Sequence, residues 1–142
     1  MGCNPVSERG VIQNVKRAQQ INDFHGVRFG NITPTDIDGL IEYHNKAWII
    51  FEIKYKDAQL PYGQRLALER MVKDFTTAGK KAMALVVEHF IDDTSEQVDA
   101  AECFVREVFH SDNLTWQPPK YKIKLAAMTA AFFNYIETAL TA

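Results

Sequence analysis

The chain has 142 residues, 46% hydrophobic and 24% charged, with a formal net charge of −2. That length supports one domain with a single core, and the composition is that of an ordinary soluble globular protein. The small net charge does not announce a nucleic-acid binder, and does not exclude one, because a local basic patch is enough.

The opening stretch, MGCNPVSERG, has no basic region leading into an apolar one, so no signal peptide is expected. Gly2 lacks the spacing and the Ser/Thr of a myristoylation site. Cys3 and Cys103 lie far apart and form neither a CxxC nor a zinc spacing, which suits a reducing, cytoplasmic setting. Val11, Ile12, Val15, Ala18 and Ile21 recur at helical spacing and predict a helix over Ser7–Ile21, with Asn4-Pro5 as its start. Gly26–Pro34 reads as a short strand leading into a turn. Asp38–His44 reads as a strand, and His44-Asn45-Lys46 as a tight hairpin turn, since Asn accepts positive φ. Ala47–Lys56 is the returning strand, rich in β-branched and aromatic residues.

Leu66, Leu68, Met71, Val72 and Phe75 form the apolar stripe of a helix over Pro61–Ala78, with Gly79 as its stop. The unbroken apolar run Ala82–Val87 marks a strand buried on both faces, and its approach from a helix implies a crossover onto the same sheet. Glu102–Phe109 fits a strand, with a helix as the near alternative. SDNLTWQPPK reads as a loop with Trp116 tucked against the body, and Leu125–Leu140 as a closing helix that packs in the core or at a dimer contact. No apolar run reaches the roughly 18 residues that a membrane span needs. The fold class expected is α/β: a mixed β-sheet flanked by helices, in the order α-β-β-β-α-β, then a further strand and a C-terminal helix.

Two charged residues interrupt the apolar strand AWIIFEIKYK. Side chains alternate along a strand, so Ile49, Phe51, Ile53 and Tyr55 share one face, and Trp48, Ile50, Glu52, Lys54 and Lys56 the other. Glu52 and Lys54 are therefore neighbours about 7 Å apart. Asp38 stands as far before Asn45 as Glu52 stands after it, so the hairpin brings the two acids opposite each other. Adjacent carboxylates repel and raise each other's pKa unless a cation sits between them. A hard dication suits them, since Mg²⁺ uses one or two carboxylates with water and phosphate. Lys54 beside it would position or deprotonate a water, or neutralise charge building on a phosphate. Phosphodiester hydrolysis is the economical reading.

The pattern DIDGLIEY followed by FEIK resembles the PD-(D/E)xK nuclease superfamily, in which an Asp at the start of one strand is followed by Glu-x-Lys on the next. The resemblance covers roughly residues 5 to 90. It implies a restriction-endonuclease-like core in a single nuclease-like domain, with residues 91–142 as an extension. It implies Asp38, Glu52 and the Ile53 carbonyl as ligands of Mg²⁺ or Mn²⁺, Lys54 as the catalytic lysine, and Gln64 on the following helix as an orienting residue. Glu8 is the one acid placed to serve from the first helix. Two departures stand out. The proline of the motif is Pro34, four residues before Asp38, and Asp36 competes with Asp38 for the ligand role. Small members include Holliday-junction resolvases and phage recombination nucleases, usually dimers. The resemblance thus implies a DNA substrate recognised by structure, a homodimer and a phage as candidate source. The rival reading is a catalytically idle nuclease-fold protein that binds DNA or a protein partner.

Between Lys54 and Lys81 seven Lys/Arg face three acids, whereas Glu88–Asp112 carries eight acids and one Arg. The basic surplus is expected around the site, with Lys56 and Arg65 as DNA contacts, and the acidic segment elsewhere. His25, His44, His89 and His110 have no metal spacing and read as structural. Tyr62 reads as a packing residue, and Lys120, Lys122 and Lys124 as a solvated face.

Overall fold

The computed structural model describes residues 10–141, and the chain divides after Pro34 into two compact units. In the first, helix α1 spans Val15–Gln20 only. Gly10 takes a φ of +86°, and the Asn14 side chain accepts the Arg17 N–H at 3.0 Å, so among the described residues the helix starts at that cap and leaves Val11 and Ile12 outside it, while Ser7 lies outside the described residues. The expected start at Asn4-Pro5 lies outside the described residues. The strand expected over Gly26–Pro34 is absent. Phe29 and Ile32 exchange both backbone hydrogen bonds at 3.0 Å around Gly30, whose φ is +62°. A reversal that tight uses up the residues that would pair with a neighbouring strand, and leaves an isolated bridge.

The second unit is a five-stranded mixed sheet in the order β1-β2-β3-β4-β5: Gly39–Tyr43, Ala47–Tyr55, Lys81–His89, Phe104–His110 and Trp116–Gln117. β1 and β2 form the expected hairpin. Lys46 N–H bonds the Tyr43 carbonyl at 2.8 Å, and both central residues, His44 and Asn45, take positive φ, the sign pattern of a type I′ turn. Helix α2, Tyr62–Thr77, then crosses over so that β3 lies parallel to β2. The crossover ends in a Schellman motif. Gly79 has a φ of +82°, its N–H bonds the Thr76 carbonyl, and Lys80 N–H bonds that of Phe75 at 2.9 Å. Residues Ala82 to Val87 are buried on both faces, as their unbroken apolar run requires.

β4 is antiparallel to β3 and is a strand from Phe104, with one 3-10 turn, Ala100–Glu102, before it. The segment expected to be a loop contains β5, because Trp116 and Gln117 pair with Phe109 and Val108. Helix α3, Leu125–Thr141, closes the chain.

The alternation read from β2 decides the two cores. Ala47 and Ile49 face α3 with Met83, Leu85, Val87, Phe132 and Ile136. Ile50 faces α2 with Leu68, Val72, Ala84, Val86 and Phe109. Leu125, Phe132 and Ile136 commit α3 to the core, while Ala126, Ala127, Ala130 and Ala131 stay exposed. No helix among the described residues is long and apolar enough to cross a membrane.

Gly79→Ala forces an L side chain into the left-handed region and should lower stability by about 1 kcal/mol. Urea denaturation checks this, with Gly79→Asn losing less; an unchanged midpoint in the Ala variant would show that the helix stop does not depend on that backbone angle.

Candidate functional site

The site is built where β1 stops. Gly39 is the last paired residue, opposite Phe51, and one further step of that register sets Asp38 against Glu52, as the hairpin arithmetic requires. Asp38 is outside the strand, and its Oδ2 accepts the Ile53 N–H at 2.7 Å. A side chain has taken the place of the missing ladder carbonyl. A residue's N–H and C=O share one strand edge, so the Ile53 carbonyl is carried to the same edge as the Asp38 carboxylate. Gly39 is needed for this approach. A Cβ there would lie 2.0 Å from the Phe51 Cζ, so the ring lies where any other side chain would be.

Glu52 points to the α2 face from the middle of the apolar row. Its residue is 1% exposed, and its Oε1 has no hydrogen-bond partner. Burial pushes its carboxyl up to about 8. The hydrogen bond with Asp38 and the charges of Asp38 and Asp36 add to the rise, and Lys54 opposes it. Lys54 follows two residues along the same face, half-buried, with Glu88 as its register neighbour on β3. Gln64, in the first turn of α2, donates its Nε2 to the Asp36 carbonyl and to Asp36 Oδ1, each at 3.3 Å. The structure therefore assigns the competing acids different surroundings: Asp38 meets the strand and Glu52, while Asp36 is tied to α2 through Gln64.

Lys56 and Arg65 are drawn off by acids. Lys56 Nζ lies 3.2 Å from Asp92 Oδ1. Arg65 bonds Glu107 Oε2 at 2.8 Å and lies over the Trp116 ring, whose Nε1 bonds Glu69. Lys81 likewise bonds Asp112 at 2.7 Å. The expectation that the acidic segment lies away from the basic one is overturned. Strand β4 and its flanking loops fold back beside β3 and α2 and neutralise three of those cations. Lys54 keeps no carboxylate partner among the described residues, because Glu88 is taken by Arg106 at 2.9 Å.

Arg106 and Glu88 escaped the sequence reading. Arg106 also bonds the carbonyls of Lys56 and Ala58 and so pins the chain where β2 ends. Nothing in the local sequence marks this, because a register shift between Val86 and Val87 sets which β4 residue meets Glu88. Glu8, the candidate fourth ligand, lies outside the described residues. Tyr62 is 79% exposed and does not pack as expected.

Among the described residues no group of three or more His, Cys, Asp or Glu side chains forms a ready metal cage. What the site does offer is two carboxylates, one with a buried orphan oxygen, and a backbone carbonyl at one edge. Such a donor set fits a hard dication whose remaining positions are water and phosphate. Comparison with family models, curated proteins and solved structures finds no match.

The raised Glu52 carboxyl has a stability consequence. The folded chain binds more proton than the unfolded one between the ordinary value of 4.5 and about 8. Its stability in EDTA should therefore fall as pH rises through that window. Glu52→Gln should remove the fall and melt higher than wild type at pH near 9. Thermal unfolding at a series of pH values checks this, and parallel curves for the two proteins would show that Glu52 is not the group responsible.

Proposed function

We propose that this chain is a metal-dependent deoxyribonuclease of the PD-(D/E)xK type, with a restriction-endonuclease-like core. The observation that carries the reading is the buried Glu52 carboxyl with an unpartnered oxygen, beside Asp38 and one pleat from Lys54. A structural surface pair would be solvated, and this acid is not. The acid-bearing hairpin, the crossover helix with Gln64 and the parallel strand β3 agree with that core, although the strand expected before the hairpin is missing.

In this reading Asp38, Glu52 and the Ile53 carbonyl hold Mg²⁺ or Mn²⁺, which when bound polarises a phosphoryl oxygen and lowers the pKa of water. The chain's own residues do the rest. The proton on Glu52 at neutral pH is the one that leaves when a cation arrives, so ion binding strengthens as pH rises. Lys54 holds its ammonium on the same face, where it orients water and offsets the negative charge that builds on the scissile phosphate. Gln64 fixes Asp36, which keeps the approach to β1 in place. The Asp38–Ile53 bond keeps both donors at one edge. Lys56 and Arg65, already paired with acids, contribute less to DNA binding than their charge alone suggests.

The decisive experiment incubates the protein with duplex, single-stranded, nicked and four-way-junction DNA in Mg²⁺, Mn²⁺ or EDTA. Wild type should cut in a divalent ion only. Glu52→Ala and Lys54→Ala should each lose on the order of a hundredfold or more in rate, since each removes charge stabilisation in the transition state. Mn²⁺ should raise the melting temperature of wild type and of Lys54→Ala, and not that of Glu52→Ala. DNA binding without turnover in any ion would favour the idle-fold alternative.

A further inference from the structure

At the opposite end of β2 and β3 lies a second charged feature that the nuclease reading does not use. A cavity of about 370 Å³ opens between the hairpin turn, the α2–β3 junction and α3. Its rim carries Lys46, Lys80 and Lys81, and Tyr135, Ile136 and Ala139 of α3 supply an aromatic ring and an apolar wall.

The fold brings the backbones of these three lysines to one place. Ala47 and Lys81 are register partners, and Lys81 N–H bonds the Lys46 carbonyl at 3.2 Å, so Lys46 and Lys81 leave adjacent strand ends. Lys80 follows Gly79 in the Schellman turn and reaches back to the side-chain oxygen of Asn45, beside Lys46. Three cations outnumber the acids around them. Asp112 bonds Lys81 at 2.7 Å, whereas Lys80 is held by a neutral amide and Lys46 has no carboxylate partner among the described residues. Glu42, which accepts the Asn45 N–H, places a second carboxylate near the turn. The surplus of ammoniums leaves this rim net positive, which favours an anion there. The apolar wall and the Tyr135 ring add a surface on which a flat, aromatic group stacks.

We propose that this cavity binds a nucleoside phosphate, with Lys46 and Lys80 on the phosphate and Tyr135 against the base. Such chemistry comes either from a free nucleotide or from a nucleotide of a nucleic-acid strand. The site is independent of the acid cluster, and its success or failure says nothing about cleavage.

The test uses ¹⁵N-labelled full-length protein in EDTA, which withholds divalent ions. It is titrated with inorganic phosphate, with AMP and with a short single-stranded oligonucleotide, while the amide signals of Lys46, Gly79, Lys80 and Lys81 are followed. AMP should move these signals and phosphate should do so more weakly. If only the oligonucleotide moves them, the source is a strand and the site still stands. The double substitution of Lys46→Ala and Lys80→Ala should weaken binding by about tenfold or more, because charge-assisted hydrogen bonds are lost. Replacing both lysines by Arg should retain it, and Glu52→Gln should leave it unchanged. If none of the three probes moves these signals, or if the double Ala variant binds as wild type does, the proposal is wrong.

Discussion

The structure around the hairpin depends on one unfavourable placement: a carboxyl group buried in the middle of an apolar strand face with one oxygen unpartnered. A buried polar atom without a partner costs roughly 1–3 kcal/mol, and an ionised carboxylate costs more, so Glu52 keeps its proton to high pH. Ile50 and Val86 beside it show what the same environment accepts without penalty. An aliphatic residue at 52 would pack as they do. That the chain carries an acid there instead, and backs it with Asp38, Gly39 and the Asp36–Gln64 tie, is the arrangement that the proposed site requires, held at the expense of stability.

The topology makes that placement possible. Because the α2 crossover sets β3 parallel to β2, the carboxyl ends of two strands lie side by side at one end of the sheet, and that is where open α/β sheets present their ligand crevices. β1 stops one residue short of Glu52, which frees the edge for Asp38. Arg106 then ties the end of β2 to β3 through Glu88 and to two carbonyls of the following turn. Lys54 is thereby left on a strand whose register neighbour Glu88 is already engaged by Arg106, with no ion pair to a carboxylate among the described residues.

Much of this could be read from the residues. The hairpin register followed from the position of Asn45, because a strand has a period of two and a tight turn fixes which residues meet. The helix stop at Gly79 and the doubly buried strand at 82–87 followed from composition alone. The failures have physical causes. A helix over Ser7–Ile21 was predicted from apolar periodicity, yet Asn14 offered a cap inside the pattern and the backbone took it. Gly26–Pro34 had strand-forming residues at Val27, Phe29 and Ile32, but the Gly30 turn folded them on themselves. The charge map failed for a different reason. Which acids meet Lys56, Arg65 and Lys81 depends on how β4 returns beside β3, and that return includes a register shift that no local pattern encodes.

The same pair of parallel strands separates two kinds of charge. Acids gather toward the carboxyl end of β2, and lysines at its amino end, five residues away along the strand from Ala47 to Glu52. At about 3.3 Å per residue this is roughly 17 Å, about twice the Debye length of about 8 Å at physiological salt. Each end therefore sets its own ionisation. A cation at Asp38 and Glu52 does not discharge the lysines, and an anion at Lys46 and Lys80 does not push the carboxyl of Glu52 further up.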